Sequence, residues 1–180
     1  MFDRHYDAIA AFLRRRVERA LADELASETF LRAFDARDRY DCARDDARPW
    51  LYGIAANLLR SHRRSEERRL RAYARAAAPA ADTGAFDGVE GRIDATRAGR
   101  ALAAALASLG PGERDALLLH AWTDLTYEQI AEALAVPVGT VRSRIHRARG
   151  VVRELLAASG EAVGEPAIAG RPAPAREESR

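Results

Sequence analysis

The chain has 180 residues, with 29 basic and 27 acidic side chains and a net charge of +2. Every basic residue is Arg and 40 residues are Ala, both strong helix formers, whereas β-branched residues are scarce. A single cysteine, Cys42, excludes a disulfide framework and a cysteine zinc site. The charged N-terminus and short apolar runs argue against a signal peptide and a membrane span. We therefore expect an all-α, cytoplasmic protein with no metal site and no membrane insertion.

The positive charge is concentrated in two windows of the sequence. Residues 60–75 contain seven Arg against Glu66 and Glu67, and residues 138–153 contain five Arg and no acid. A solvated helix face would mix both signs, whereas windows of one sign are typical of surfaces that face phosphates. The distribution of charge therefore favours nucleic-acid binding.

The first half of the chain predicts three helices. Apolar residues recur at helical spacing from Tyr6 to Leu21. A second amphipathic helix follows, and its inward residues are expected to be Leu25, Thr29, Phe30, Ala33 and Phe34. Residues 35–48 are dense in Asp and Arg and predict a loop. Pro49 suits the first turn of a third helix, which continues into the first basic window.

A change of composition divides the chain into two small helical domains. Residues 76–95 are rich in Ala, Gly and Asp and predict a flexible linker between domains at 1–75 and 96–158. Fully extended, such a linker reaches roughly 65 Å, about two turns of B-DNA. Helical periodicity resumes after the linker, breaks at residues 110–112 and predicts a further helix over 113–122. Residues 159–180 carry three of the seven prolines and are expected to be disordered.

The most specific local signal is a helix-turn-helix at residues 126–149. Thr126 and Gln129 match a capping box, and Pro137 disfavours helix at the residue before it. The second helix begins near Val138, and its outward side chains are Thr140, Arg142, Ser143, Arg144, His146, Arg147 and Arg149. Such a helix suits the major groove, where Arg can bond guanine through two hydrogen bonds. The alternative is a helical hairpin whose arginines only solubilise it, with His146 an ordinary surface residue.

Three segments stand out in chain order: ADELASETFLRAF, ARPWLYGIAANLLRSHRR and LTYEQIAEALAVPVGTVRSRIHRAR. In this order, with a loose linker before the last, they resemble bacterial RNA polymerase sigma factors of the extracytoplasmic-function (ECF) type. The resemblance implies two all-helical domains, the family's regions 2 and 4. It also implies a protein that binds core RNA polymerase, directs promoter-specific transcription initiation and needs no cofactor. The family commonly has an anti-sigma factor as a partner, although no motif here identifies one.

The resemblance assigns roles to particular residues. In the first segment, the residues that would dock on the largest polymerase subunit are Asp23, Glu24, Glu28 and Arg32. The second segment and the loop before it would hold a flipped base of the minus-ten strand and track its backbone, through Tyr40, Trp50, Asn57, Arg60, Arg63 and Arg64. Aromatic stacking in a basic groove is the usual way to hold a single strand. For Trp50, the sequence is compatible with both a core role and a stacking role.

The last segment would read the minus-thirty-five element. The residues expected to face bases are Arg142, Ser143, His146 and Arg147, and those expected to face phosphates are Thr140, Arg144 and Arg149. The roles of Cys42, which lies in an acidic loop, and of the 159–180 tail are not assigned by the resemblance.

Two other classes of protein fit the sequence less well. A free-standing helix-turn-helix regulator with an N-terminal sensor or dimerisation domain would share the last segment, but it has no reason to carry the second one. An enzyme is disfavoured, because the four histidines are far apart and no HExxH motif, glycine-rich phosphate loop or nucleophile elbow is present. We therefore expect no catalytic residues.

Overall fold

A computed structural model describes residues 2–41, 43–76 and 97–158. These residues form seven α-helices and one turn of 3₁₀ helix (Arg37–Arg39), with no strand among them. The helices are α1 (Phe2–Arg14), α2 (Arg19–Asp35), α3 (Arg48–Ala76), α4 (Arg97–Ser108), α5 (Pro111–Trp122), α6 (Tyr127–Leu134) and α7 (Val138–Ala158). The predicted all-α class is confirmed. Cys42, the tail and all but the first residue of the predicted linker lie outside the described residues.

The N-terminal half (residues 2–76) packs α1, α2 and α3 around one core. Phe12 and Leu13 of α1 and Leu51 and Leu59 of α3 are buried, and the Phe12 ring meets Tyr52 edge-on at 5.3 Å. The chain reverses at residues 15–18, so the apolar stripe that begins at Tyr6 is shared by two helices rather than one.

Phe34 corrects one detail of the predicted core. It was expected to face inward, but its side chain is 64% exposed. The face that α2 buries ends at Ala33, and Phe34 lies in the last turn of the helix. There the guanidinium of Arg37 covers its ring at 4.5 Å from the centroid.

The C-terminal half (residues 97–158) contains α4 to α7. Gly110 is the N-cap of α5, so this helix begins at Pro111, two residues earlier than predicted. Proline is favoured at the first helical position because its missing N–H has no intrahelical partner there. Buried Arg114 donates to the carbonyls of Leu106 (2.6 Å) and Leu109 (3.1 Å), which satisfies acceptors at the end of α4.

The helix-turn-helix is formed by α6 and α7. Thr126 and Gln129 bond each other's backbone N–H as the capping box predicts, at 3.2 and 2.9 Å. Ala135 then adopts a left-handed conformation (φ 51°), and the N–H of Val136 donates to the carbonyl of Ala131. The turn therefore lies at the predicted place, before Pro137.

The two halves contact each other through α3 and α6. Gly53 of α3 lies so close to α6 that a Cβ built there would be 2.5 Å from the carbonyl oxygen of Ala133. Ile130 and Ala133 of α6 join the same buried cluster as Leu51 and Ala55 of α3. The sequence predicted two domains and a linker but not this contact. No helix in the described part of the chain is long and apolar enough to cross a membrane.

Candidate nucleic-acid interface

The outer face of α7 carries the predicted groove-reading side chains. Val141, Ile145 and Ala148 are buried on the opposite face, which fixes the rotation of the helix. The four residues predicted to face bases are all exposed: Arg142, Ser143, His146 and Arg147. The three predicted to face phosphates are partly buried at the edges of this face: Thr140, Arg144 and Arg149.

Helix α5 supports three of these arginines from behind. The Arg144 guanidinium lies over Gly112, where an added Cβ would be 3.0 Å from Cζ. Arg147 Nε lies 3.2 Å from Glu113 Oε1, and Arg149 Nη2 lies 2.9 Å from His120 Nε2. Of these three contacts, that of Arg147 with Glu113 is an ion pair, and an exposed ion pair of this kind contributes little stability.

The ring of His120 on α5 contacts both α6 and α7. It stacks on Tyr127 of α6 with the ring centroids 5.2 Å apart. Burial, and then the nearby charge of Arg149, hold the pKa of His120 below its ordinary value. The neutral imidazole is therefore the form that suits this site at neutral pH.

A cavity of about 350 Å³ opens beside the predicted minus-ten residues. The rings of Tyr40 and Trp50 lie 4.9 Å apart at the wall of the cavity, and the exposed residue Asn57 lines it as well. Its remaining lining residues are Arg39, Asp41, Arg44, Gly53, Ile54, Glu132 and Ala133. The last two belong to α6, so both halves of the chain contribute to the cavity.

The carboxylate of Asp46 links the start of α3 to α6. It accepts hydrogen bonds from the backbone N–H of Arg48 (2.9 Å) and from Gln129 Nε2 of α6 (3.0 Å). The hydrogen bond from the Arg48 side chain is the main reason that the pKa of Asp46 is lowered. One ionised carboxylate thus helps to position both α3 and α6.

The three predicted backbone-tracking arginines of α3 have different surroundings. Arg64 is exposed. Arg60 Nε lies 3.3 Å from Asp115 Oδ2, and Arg63 Nη2 donates to the carbonyl of Arg16 at 3.4 Å. Burial, with help from Arg16, lowers the pKa of Arg63 to about 10, so the side chain stays charged at neutral pH.

The predicted polymerase-docking residues lie on the outer face of α2. Asp23 pairs with Arg14 at 2.7 Å, Glu28 pairs with Arg32 at 2.8 Å, and Glu24 is exposed. Sequence reasoning missed Leu31, which is 56% exposed beside them, and placed exposed Phe34 in the core. The available signal for Leu31 was its spacing of seven residues from Glu24 and three from Glu28, and Phe34 follows Leu31 by three residues. Together these residues form a charged surface with an apolar patch, which is typical of a protein interface.

Comparison with known proteins identifies the two halves. The family sigma-70 region 2 matches residues 1–69, and the family sigma-70, region 4 matches residues 99–150. The ECF RNA polymerase sigma factor SigC of Mycobacterium tuberculosis is 38% identical over 134 residues, which cover 71% of this chain and 66% of SigC. The chain therefore spans just under two thirds of the length of that relative.

Two further comparisons extend over most of the chain. The RNA polymerase sigma factor CarQ of Myxococcus xanthus is 34% identical over 160 residues, which cover 87% of both proteins. The solved structure of CnrH, in complex with the cytosolic domain of CnrY, has a TM-score of 0.60 and 26% identity, covering 87% of this chain and 85% of CnrH. The chain belongs to the ECF group of the sigma-70 family of RNA polymerase sigma factors.

Proposed function

We propose that this chain binds core RNA polymerase and directs promoter-specific transcription initiation. The observation that carries the proposal is the pairing of two DNA-facing surfaces in one chain. An aromatic-walled cavity beside basic α3 is lined mainly by residues of the region 2 match, and an arginine-rich second helix of a helix-turn-helix lies in the region 4 match. The domain boundaries follow as 1–75 and 96–158, joined by the 76–95 segment.

The minus-ten site is the cavity next to Asn57. A base can enter such a site only after it has left the stack of the duplex. The Tyr40 and Trp50 rings offer a stacking surface, and the Asn57 amide can both donate and accept hydrogen bonds to a base edge. Arg60, Arg63 and Arg64 then contact the strand backbone.

The minus-thirty-five site is the exposed face of α7. Arg142 and Arg147 can each bond a guanine through two hydrogen bonds, while Ser143 and His146 make shorter contacts. The partly buried residues Thr140, Arg144 and Arg149 face the flanking phosphates, which position the helix without reading sequence.

The polymerase-docking site is the outer face of α2. Its charged residues are Asp23, Glu24, Glu28 and Arg32, and its apolar contribution comes from Leu31 and Phe34. Protein interfaces typically combine an apolar centre with a polar rim. The exposure of these two apolar side chains supports docking over an ordinary solvated helix face.

The chain acts without catalytic residues of its own, because the polymerase supplies the chemistry, and its place of action is the cytoplasm. An anti-sigma factor is a further proposed partner. CnrH was solved with the cytosolic domain of CnrY bound to it, which supports a comparable protein partner for this chain.

The test of the minus-ten site is Asn57→Ala in the full chain with core polymerase. We expect unchanged polymerase binding but weaker strand opening and run-off transcription. Ser61→Ala is the matched control, since Ser61 is exposed one turn further along α3 and does not line the cavity. If Asn57→Ala transcribes as well as both Ser61→Ala and the wild type, Asn57 does not belong to the site.

A gel shift on duplex DNA discriminates the second candidate function. A sigma factor of the proposed kind needs core polymerase for tight, specific binding. Tight and specific binding by the chain alone would instead favour a free-standing regulator.

A further inference from the structure

Glu113 lies in the first turn of α5, next to the exposed face of α7. Its Oε2 accepts a hydrogen bond from the Gly110 backbone N–H at 3.3 Å, across the N-terminal turn of the helix. Its Oε1 lies 3.2 Å from Nε of Arg147. One carboxylate therefore joins the start of α5 to an arginine that is proposed to face bases.

The surroundings of Glu113 are rigid, whereas those of Arg147 are open. The next residue, Arg114, is buried and donates hydrogen bonds to three carbonyls near the end of α4. Leu117 of α5 shares a buried cluster with Ala148 of α7, so the two helices are packed together beside this pair. The side chain of Glu113 is only 27% exposed, and that of Arg147 is 63% exposed. The packed helices thus fix the carboxylate, and the arginine extends past it towards solvent.

From this geometry we propose that Glu113 positions Arg147 to read one guanine of the minus-thirty-five element. A long arginine side chain loses rotamer entropy when it binds a base, and a carboxylate that confines it beforehand reduces that loss. With Nε beside Glu113, the two Nη groups at the tip remain for the O6 and N7 acceptors of a guanine. The inference rests on the proposed minus-thirty-five site and deepens it, because it adds a residue that sets base preference without touching DNA.

Arg142, the other exposed arginine that is proposed to face bases, has a looser partner. Its Nη2 lies 3.9 Å from Glu128 Oε1, and the two side chains are 65% and 69% exposed. An ion pair at that distance and exposure restrains its members little. Glu128 therefore offers a matched comparison: a carboxylate beside a base-facing arginine that does not position it.

The charge of Glu113 predicts two effects of opposite sign. A carboxylate beside α7 repels phosphates whatever the base sequence, so its removal should strengthen binding to random DNA. Its removal also releases Arg147, which should weaken the preference for one base pair. A purely structural role in the first turn of α5 would instead weaken binding to every sequence by the same factor.

The test uses the full chain with core polymerase. The probe is a pool of duplex DNA that is randomised upstream of the minus-ten element, and sequencing of the bound fraction gives the relative affinity for each base at each position. Arg147→Ala identifies the position that Arg147 reads. We expect Glu113→Ala to lower the guanine preference there by about fivefold, the factor for an exposed ion pair at the upper end of its range. In the Arg147→Ala background, Glu113→Ala should change no preference.

Two further variants separate the charge from other effects. Glu113→Gln retains an oxygen that can accept from Gly110 but removes the charge, and it should lose most of the same preference. Glu128→Ala should leave every base preference unchanged. Full preference in Glu113→Gln, or an equal loss in Glu128→Ala, would overturn the positioning role of the Glu113 carboxylate.

The remaining outcomes distinguish the inference from the proposed site. If Arg147→Ala alters no base preference, Arg147 does not read a base and the proposed minus-thirty-five contact is wrong. If Arg147→Ala lowers one preference and Glu113→Ala leaves it intact, only the positioning by Glu113 is refuted. A base preference is a ratio of two affinities, so a smaller yield of folded Glu113→Ala does not alter the result.

Discussion

The close contact between α3 and α6 predicts an effect of Gly53→Ala on stability that is opposite to the effect of helix propensity. Glycine inside a helix normally costs about 0.5–1 kcal/mol relative to alanine, because it loses more backbone freedom on folding. Gly53 lies well inside α3, so helix propensity alone predicts that alanine stabilises the protein. The structure predicts the opposite sign, since the new Cβ would be 2.5 Å from the Ala133 carbonyl oxygen.

The magnitude follows from what the Cβ meets. The neighbouring atoms belong to the α6 backbone, with the Ala133 carbonyl carbon at 3.3 Å and Cα at 3.4 Å, so no flexible side-chain end can move away. Overpacking of this kind costs about 1–3 kcal/mol. After the propensity gain, the folded protein should lose up to about 2.5 kcal/mol relative to the wild type.

Gly150→Ala supplies the matched control. Gly150 lies inside α7, and a Cβ built there meets nothing within 4 Å. This variant should raise Tm by about 1–4 °C, from about 0.5–1 kcal/mol at 2–4 °C per kcal/mol for a chain of this size. Gly53→Ala should leave Tm unchanged or lower it, and it should raise the radius of gyration.

The assay is thermal unfolding followed by circular dichroism, with small-angle X-ray scattering on the same samples. A Gly53→Ala chain that is compact and as stabilised as Gly150→Ala would refute the packing of α6 on α3.

Three other predictions address single surfaces. Arg142→Ala should cost about 1–3 kcal/mol at one base position of the promoter and relax specificity there; uniform weakening across sequences in a holoenzyme binding assay would mean that Arg142 contacts only phosphate. Phe34→Ser should weaken binding to core polymerase by about tenfold, as expected for an interface anchor, without changing the unfolding free energy, and an unchanged affinity in a fluorescence titration would exclude this patch. Because burial lowers the pKa of His120, the unfolded chain takes up this proton first, so the unfolding free energy should fall as the pH drops below about 6.5. His120→Gln should remove that part of the slope, which cannot exceed about 1.4 kcal/mol per pH unit for one proton, and urea titrations from pH 7.5 to 5 that give parallel curves for both proteins would contradict it.

The features that could be predicted from the sequence depend on residues close together in the chain. The capping box of Thr126 and Gln129 needs a separation of three residues, and the turn before Pro137 needs one proline and its neighbour. The buried stripe of α7 follows from spacings of three and four. Local chemistry therefore predicts the helix-turn-helix and the face of α7 that is left exposed.

The features that could not be predicted depend on residues far apart. Arg114 and Asp115 resemble ordinary solvated charges in the sequence, yet both are buried. The partner of Asp115 is Arg16, which lies 99 residues earlier in the chain. No local sequence pattern predicts a pair so far apart. The apolar stripe from Tyr6 to Leu21 predicted one helix where the structure has two, for a related reason. Residues on either side of the chain reversal pack into one core and keep the spacing of a single helix.

The long-range pair of Asp115 and Arg16 is specific but costly. Removing a charge from water is costly, and a buried ion pair repays that cost only where its geometry is good and its remaining polar atoms are satisfied. Arg16 Nη2 and Asp115 Oδ1 lie 2.6 Å apart, but Arg16 Nε and Nη1 and Asp115 Oδ2 form no hydrogen bond among the described residues. Arg63 gives up water for a carbonyl oxygen at 3.4 Å and lies beside other positive charges. The contact of the two halves is therefore specific, because Asp115 fits between Arg16 and Arg60, and also weak, because these arginines are poorly compensated.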